Sequence, residues 1–227
     1  MPAPLSVVIP TLNAAEALPE TAEALLSGAT EGLIRDLVIT DGGSEDETPL
    51  VAKELGGTWI EGPPGRGGQI ARGVDASSAP WLLILHADTH LSDGWTMAVF
   101  DHMNTHPDQA GYFRLAFRAE GLAPRLVAGA ANLRSRVMHL PYGDQGLLIS
   151  RALLAEIGGF PAIPLMEDVA LADKLKGRFR RLDAEARTSA DRYRRDGWIR
   201  RAAGNLGTLL RYRLGTEPEE LRQRYEK

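Results

Sequence analysis

Asp41, Asp88 and the pair Glu167-Asp168 are the residues of this chain best placed by type and spacing to do chemistry. Asp41 follows an apolar run in VITDGGSEDET, where two glycines let the backbone turn beside a ligand. Asp88 closes LLILHADTH, and a carboxylate there suits a hard cation such as Mg²⁺ or Mn²⁺ shared with substrate phosphates. His86 lies two residues earlier, on the same side of an extended chain, and offers an imidazole to the same metal or to a phosphate. Glu167-Asp168 opens a helix-like segment after the proline-broken GGFPAIPLM. Such a pair either complements the helix dipole or supplies a general base to a hydroxyl. Two glycine-containing loops add weaker signals. Gly65-Arg66-Gly67-Gly68-Gln69 exposes backbone N–H groups at a helix start, which suits an anion, but its spacing is neither a dinucleotide fingerprint nor a P-loop. Tyr142-Gly143-Asp144-Gln145-Gly146 offers paired donors and acceptors for a sugar, or is a plain turn.

The elements that must position these residues alternate. Leu5–Pro10, Leu33–Thr40, Thr58–Glu61 and Trp81–Leu85 read as buried strands. Between them lie helical patterns: one with Leu18, Ala22, Leu25 and Leu26, for which Asn13 is a candidate cap; one opened by a Ser44-x-x-Glu47 capping box; and one from Gly67 to Ala76. This order predicts an α/β fold with a mostly parallel sheet and ligand chemistry beyond the carboxyl ends of its strands. Thr11, Asn13, Asp41, Arg66, His86 and Asp88 all follow strands in this way. The second half is less regular: a strand over Gly111–Arg118, a helix over Leu122–Val137 with Pro124 in its first turn, a strand at Leu147–Ser150, a helix over Met166–Leu175 and a helical tail from Asp191.

Composition sets the limits. The chain has 227 residues, 44% hydrophobic and 25% charged, which is ordinary for a globular domain, and no cysteine, which excludes disulfides and thiol nucleophiles. Its net charge of −4 is uneven: residues 178–227 carry 14 Lys/Arg against 8 Asp/Glu, leaving −10 for the rest. A basic tail on an acidic body suits a phosphate-bearing substrate, a membrane surface or a salt-bridged helical end. Its apolar stripe leaves packing on the domain, pairing with another subunit or contact with an anionic membrane open. The N-terminus has no signal-peptide pattern and no stretch approaches the ~20 apolar residues of a membrane span. A cytoplasmic protein, peripheral to a membrane if the tail engages one, is the expectation, and nothing suggests nucleic acid. With no repeat and no linker, residues 1–227 read as one domain: a nucleotide-binding half over 1–90, an acceptor and catalytic half over 91–190 and the tail over 191–227.

Taken together, the ordered blocks SVVIPTLN, VITDGGSEDET, GRGGQIARG, WLLILHADT, GDQGLLISRALLAEIGGF and MEDVALADKLKG resemble the family 2 glycosyltransferases of GT-A fold. The histidine form HADT, with PYGDQG and PLMEDV, is similar to a subgroup of transferases associated with radical-SAM/selenodomain proteins. The resemblance implies a Rossmann-like sheet flanked by helices, a nucleoside-diphosphate sugar donor that is UDP-linked, a divalent metal and a hydroxyl acceptor, either a small molecule or lipid-linked. By residue, it implies that Thr11 and Asn13 begin the nucleotide pocket, that Asp41 contacts the base, and that Arg66 with Gly67 lies near the phosphates. Asp88 matches the last aspartate of the family's Asp-x-Asp motif, and Asp168, beside Glu167, matches the base of an inverting displacement. Asp144 and Gln145 would line the sugar pocket, and Arg192 and Arg194 would cover the diphosphate. Three departures stand out: His86 replaces the motif's first aspartate, Ala14 stands where glutamate is frequent, and Gly42 follows Asp41 where many members have a second aspartate. A sugar-phosphate nucleotidyltransferase and a non-catalytic nucleotide-sugar binding module are the rival readings. The first lacks its glycine- and arginine-rich loop after strand one. The second is opposed by the retention of Asp88 and Asp168.

Overall fold

The computed structural model describes residues 3–225, so the two residues at each end of the expected 1–227 unit lie outside the described residues. The first half follows the expected alternation. Strand β1 (Leu5–Thr11) is followed by helices α1 (Leu18–Ala24) and α2 (Leu26–Thr30), β2 (Ile34–Asp41), α3 (Thr48–Glu54), β3 (Thr58–Glu61), α4 (Arg66–Ala76) and β4 (Trp81–Ile84). The four strands pair in parallel in the order β3-β2-β1-β4, with Thr11 level with Asp41 and Asp41 level with Glu61. Their carboxyl ends therefore form one edge.

The second half adds β5 (Thr89–Leu91), α5 (Trp95–Thr105), β6 (Ala110–Phe117), α6 (Leu122–Met138), β7 (Leu147–Ser150), α7 (Arg151–Glu156), α8 (Glu167–Leu175) and β8 (Phe179–Thr188). It ends in α9 (Asp191–Asp196), α10 (Trp198–Arg213) and α11 (Pro218–Tyr225). Its strands extend the same sheet to the order β3-β2-β1-β4-β7-β6-β8-β5, with β7 antiparallel to both neighbours and β6 parallel to β8. β8 has no counterpart among the elements expected from the sequence. Its signal was nevertheless there, because the buried Leu182, Ala184, Ala186 and Thr188 alternate with more exposed residues.

Both faces of the sheet are covered, which is why its central strands are apolar without alternation. Val7, Ile9, Leu83, Leu85 and Leu148 join one core with Trp95 and Val99. The intervening Val8, Leu82, Ile84, Leu147 and Ile149 join another with Ile70, Leu153, Leu171 and Leu175. Helix α4 lies close against the sheet because Gly73 allows it: a Cβ there would sit 2.4 Å from Val8 Cγ1 and 3.0 Å from Thr40 Cγ2.

Two expected caps are corrected. The α1 cap position is Ala17 and the α3 cap position is Glu47, and neither side chain caps its helix. Asn13 and Ser44 are instead drawn into the loop around Asp41, where a buried carboxylate competes for their donors and acceptors.

Because Gly73 is closed in by β1 and β2, Gly73→Val is expected to lower folding stability by about 1–3 kcal/mol through overpacking. Chemical denaturation checks this, and an unchanged midpoint would show that α4 moves freely.

Candidate active site

The site begins with a buried carboxylate. Asp41, almost fully enclosed at the end of β2, accepts Thr11 Oγ1–H at 2.9 Å and Ser44 Oγ–H at 2.5 Å on one oxygen. Its other oxygen accepts the backbone N–H groups of Gly43 at 2.7 Å and Ser44 at 2.6 Å. Asn13, in a left-handed conformation at φ 51°, donates its backbone N–H to Ser44 Oγ and accepts that of Glu45. Gln69 of α4 closes the arrangement from below, donating to the carbonyls of Thr11 at 2.7 Å and Thr40 at 2.9 Å. Arg72, one turn on, donates to the carbonyls of Asp41 and Pro63. Gln69 and Arg72 are structural residues that sequence reasoning missed. Both lie on α4 at helical spacing from Arg66.

The open cleft lies beside this loop. It joins Arg66, His86, Asp88, Asp144, Glu167 and Asp168 to Thr188, Arg192 and Arg201. The structure therefore gathers residues from α4, the β4–β5 turn, the loop before β7, the start of α8, and the β8–α9 region. Met166, at φ 65°, turns the chain so that α8 opens with its carboxylates at the cleft. Asp168 Oδ2 accepts the Gly143 N–H at 3.0 Å, and Oδ1 accepts the Val169 N–H at 2.7 Å. These bonds fix the plane of its carboxylate. Asp88 is held by a single long contact from Thr188 Oγ1, 3.5 Å from Oδ1, which leaves its carboxylate available.

The electrostatics follow from burial. Glu167, paired with Arg66 at 3.5 Å, is pushed up to about 7, because desolvation and the neighbouring Asp168 outweigh the attraction of Arg66. Asp144 is pushed up to about 6, again chiefly by desolvation, with Arg134 opposing. His86 is held well below its ordinary value by burial and by Arg66 and Arg192, so its imidazole is neutral. Asp144 Oδ1, Glu167 Oε2 and His86 Nε2 are buried and lack hydrogen-bond partners. The His86 Nε2 atom lies close to Gly143, where a Cβ would be 2.7 Å away.

Among the described residues, no three His, Asp or Glu side chains form a metal cage. The donor set fits instead a Mg²⁺- or Mn²⁺-type ion that takes one protein carboxylate and completes its shell with phosphate oxygens and water. Asp88 meets that requirement.

Several expected site residues are placed elsewhere. Thr11, Asn13 and Asp41 do not line the cleft: Thr11 and Asp41 are buried and bonded to one another, and the exposed Asn13 accepts the Glu45 N–H. Gly67 is required for packing: a Cβ there would be 2.3 Å from the Ile163 carbonyl oxygen. Gln145 is fully buried and forms no part of the cleft wall; it donates to the Phe113 carbonyl and accepts from Ser135 Oγ and Tyr142 N–H. Arg194 turns toward Asp191 at 3.6 Å, and of the expected pair only Arg192 lines the cleft. Arg201, ion-paired with Asp196 at 2.7 Å, and Asn205 are cleft residues that the sequence did not single out. Their helical stripe is readable, but not the direction from which α10 returns to the sheet.

With this geometry in view, the comparisons with known proteins are decisive for family. Residues 6–149 match the model of glycosyl transferase family 2. The chain belongs to that family. Among curated relatives, the PGL/p-HBAD biosynthesis glycosyltransferases of Mycobacterium bovis (strain BCG / Pasteur 1173P2) and Mycobacterium tuberculosis (strain ATCC 25618 / H37Rv) are 37% identical over 106 residues, covering 43% of this chain and 41% of theirs. The chain thus matches less than half the length of these relatives. Among solved structures, the fold is shared with glucosyl-3-phosphoglycerate synthase from M. tuberculosis. Its complex with Mn²⁺ and UDP-glucose has a TM-score of 0.56 at 20% identity, covering 78% of this chain and 68% of that one. Its complex with Mg²⁺ and UDP has a TM-score of 0.58 at 21% identity, with the same coverage.

Two outcomes test this site. Gln145→Ala is expected to lower stability by about 1–3 kcal/mol by orphaning buried partners; an unchanged thermal midpoint would show that the network is dispensable. Because burial raises the pKa of Glu167 in the folded state, its stabilising share is complete below about 4.5 and is lost as pH rises through about 7. Glu167→Gln should therefore gain stability relative to the parent between those pH values, and a difference that does not vary with pH would contradict the assignment.

Proposed function

We propose that this chain is an inverting glycosyltransferase that moves a sugar from a nucleoside-diphosphate sugar, UDP-linked, to a hydroxyl acceptor. The observation that carries this reading is the convergence of Asp88, Asp168, Arg66 and Arg192 on one cleft at the carboxyl edge of the sheet in a family 2 chain. The donor complexes of the structural neighbours support UDP and a divalent ion, and one neighbour complex also contains phosphoglyceric acid. The histidine form HADT, with PYGDQG and PLMEDV, supports placement in the radical-SAM/selenodomain-associated subgroup.

In this reading the loop built by Thr11, Asn13 and Asp41 shapes the nucleotide half of the site through its backbone. Asp88 would hold the divalent metal, which would supply charge neutralisation for the diphosphate leaving group. Arg66 and Arg192 bind the phosphate oxygens from the cleft walls. Glu167 acts through Arg66, as a positioning residue. Asp144 stands beside the reacting sugar with a free carboxyl oxygen for its hydroxyls. Asp168, oriented by the Gly143 and Val169 N–H groups, accepts the acceptor's proton as its oxygen attacks the anomeric carbon and the bond to diphosphate breaks.

Asp168→Asn is expected to keep UDP-sugar binding and to lower turnover by about 10²–10⁴-fold, the usual contribution of a general base. Asp88→Ala should weaken UDP-sugar binding only when Mn²⁺ is present. Calorimetry with and without Mn²⁺, followed by a turnover assay, separates the two, and full turnover in Asp168→Asn would remove that residue from its role.

A further inference from the structure

Helix α10 presents three different sides. Its Leu209 side is buried against Val169 and Ala172 of α8. A second side, with Ile199, Leu206 and Leu210, is open to solvent; Ile199 is 85% exposed. Between these, Arg200, Arg201 and Arg211 line a groove completed by Arg195 and by Arg224 of α11. Asp196 is the only acidic residue lining that groove. Arg200 and Arg211 have no acidic partner within ion-pair distance among the described residues. The neighbouring α6 repeats the pattern, with Leu126, Leu133 and Val137 exposed. Neither α6 nor α10 contains an acidic residue or a lysine, and between them they carry seven arginines.

An exposed apolar stripe flanked by Arg200 and Arg211, beside the ion-paired Arg195, Arg201 and Arg224, fits two surfaces: a second copy of the chain or an anionic lipid surface. A second copy apposing these helices would set arginine against arginine, with no acid on either helix to compensate. A bilayer surface rich in phosphate supplies both complements, acyl boundary for the leucines and anionic headgroups for the guanidinium groups. No helix among the described residues is long and apolar enough to cross a membrane, so the contact is one of lying on the surface. We propose that α10, assisted by α6, docks this protein on an anionic phospholipid surface, with the α10–α11 arginine groove receiving headgroup phosphates. Arg201 and Asn205 line both the groove and the active-site cleft, so docking sets the rim of the cleft at the membrane surface.

Co-sedimentation with vesicles of pure phosphatidylcholine, and of phosphatidylcholine mixed with an equal amount of phosphatidylglycerol, tests this. Binding is expected to the mixed vesicles only and to fall as salt is raised. The double variant Arg200→Gln/Arg211→Gln should bind about 30-fold more weakly, since each arginine at such a surface contributes roughly fivefold. Leu206→Glu/Leu210→Glu should lose binding while keeping the parent's circular dichroism and UDP-sugar affinity. Equal binding to both vesicle types, or none to either, overturns the proposal. So does a concentration-dependent dimer in sedimentation velocity that the leucine variant abolishes. UDP-sugar affinity is measured separately, so failure on vesicles leaves the proposed transfer reaction standing, and the reverse.

Discussion

Burying carboxylates is costly unless donors or cations are supplied, and the structure meets that cost in two different ways at the two halves of its sheet edge. At the β1 and β2 ends, Asp41 is satisfied by four hydrogen bonds. The result is a loop whose buried carboxylate is fully engaged. In the cleft, Asp144 and Glu167 are buried with oxygens unsatisfied, and Arg66 and Arg134 only partly offset their desolvation. A fully satisfied network gives a scaffold. An incompletely satisfied one gives a site with unmet capacity for hydroxyls, phosphates or a cation.

That division explains the positions of the supporting residues. Gln69 and Arg72 hold β-strand carbonyls from α4, and Gly67 and Gly73 let the same helix pass close to the 161–163 segment and to β1. Helix α4 is thereby fixed on both sides, which fixes Arg66 at its first turn against Glu167 of α8. The Arg66–Glu167 ion pair thus ties the first turn of α4 to the helix that carries Asp168, alongside the β4–β7 pairing and the Arg118–Glu20 ion pair.

The loop before β7 plays the matching role on the opposite wall. Gln145, entirely buried, ties β6, α6 and Tyr142 together, while Arg134 stacks on the Tyr142 ring at 3.4 Å. With this loop in place, the Gly143 N–H points at Asp168 and the Gly143 backbone closes over His86. The polar residues of the loop therefore divide their tasks: Gln145 anchors the loop from within and Asp144 faces the cleft.

By itself, the sequence determined the alternating first half and its parallel sheet, because apolar runs punctuated by glycine and proline alternate with helical patterns, but the strand order β3-β2-β1-β4 came from the tertiary structure. It also marked Asp88, Asp144 and Glu167-Asp168, since polar residues at strand and helix ends are conspicuous locally. It did not distinguish Asp41 from Asp88 in kind: both follow strands, yet one is enclosed by four donors and the other is held by a single long contact. Nor did it show that Gln145 is buried, that Arg194 turns to Asp191, or that β8 brings Thr188 and Arg192 to the cleft. Those outcomes depend on which segments distant in the chain pack against each residue. Only the tertiary structure decides whether a polar side chain finds its partners within the protein or is left to meet a ligand.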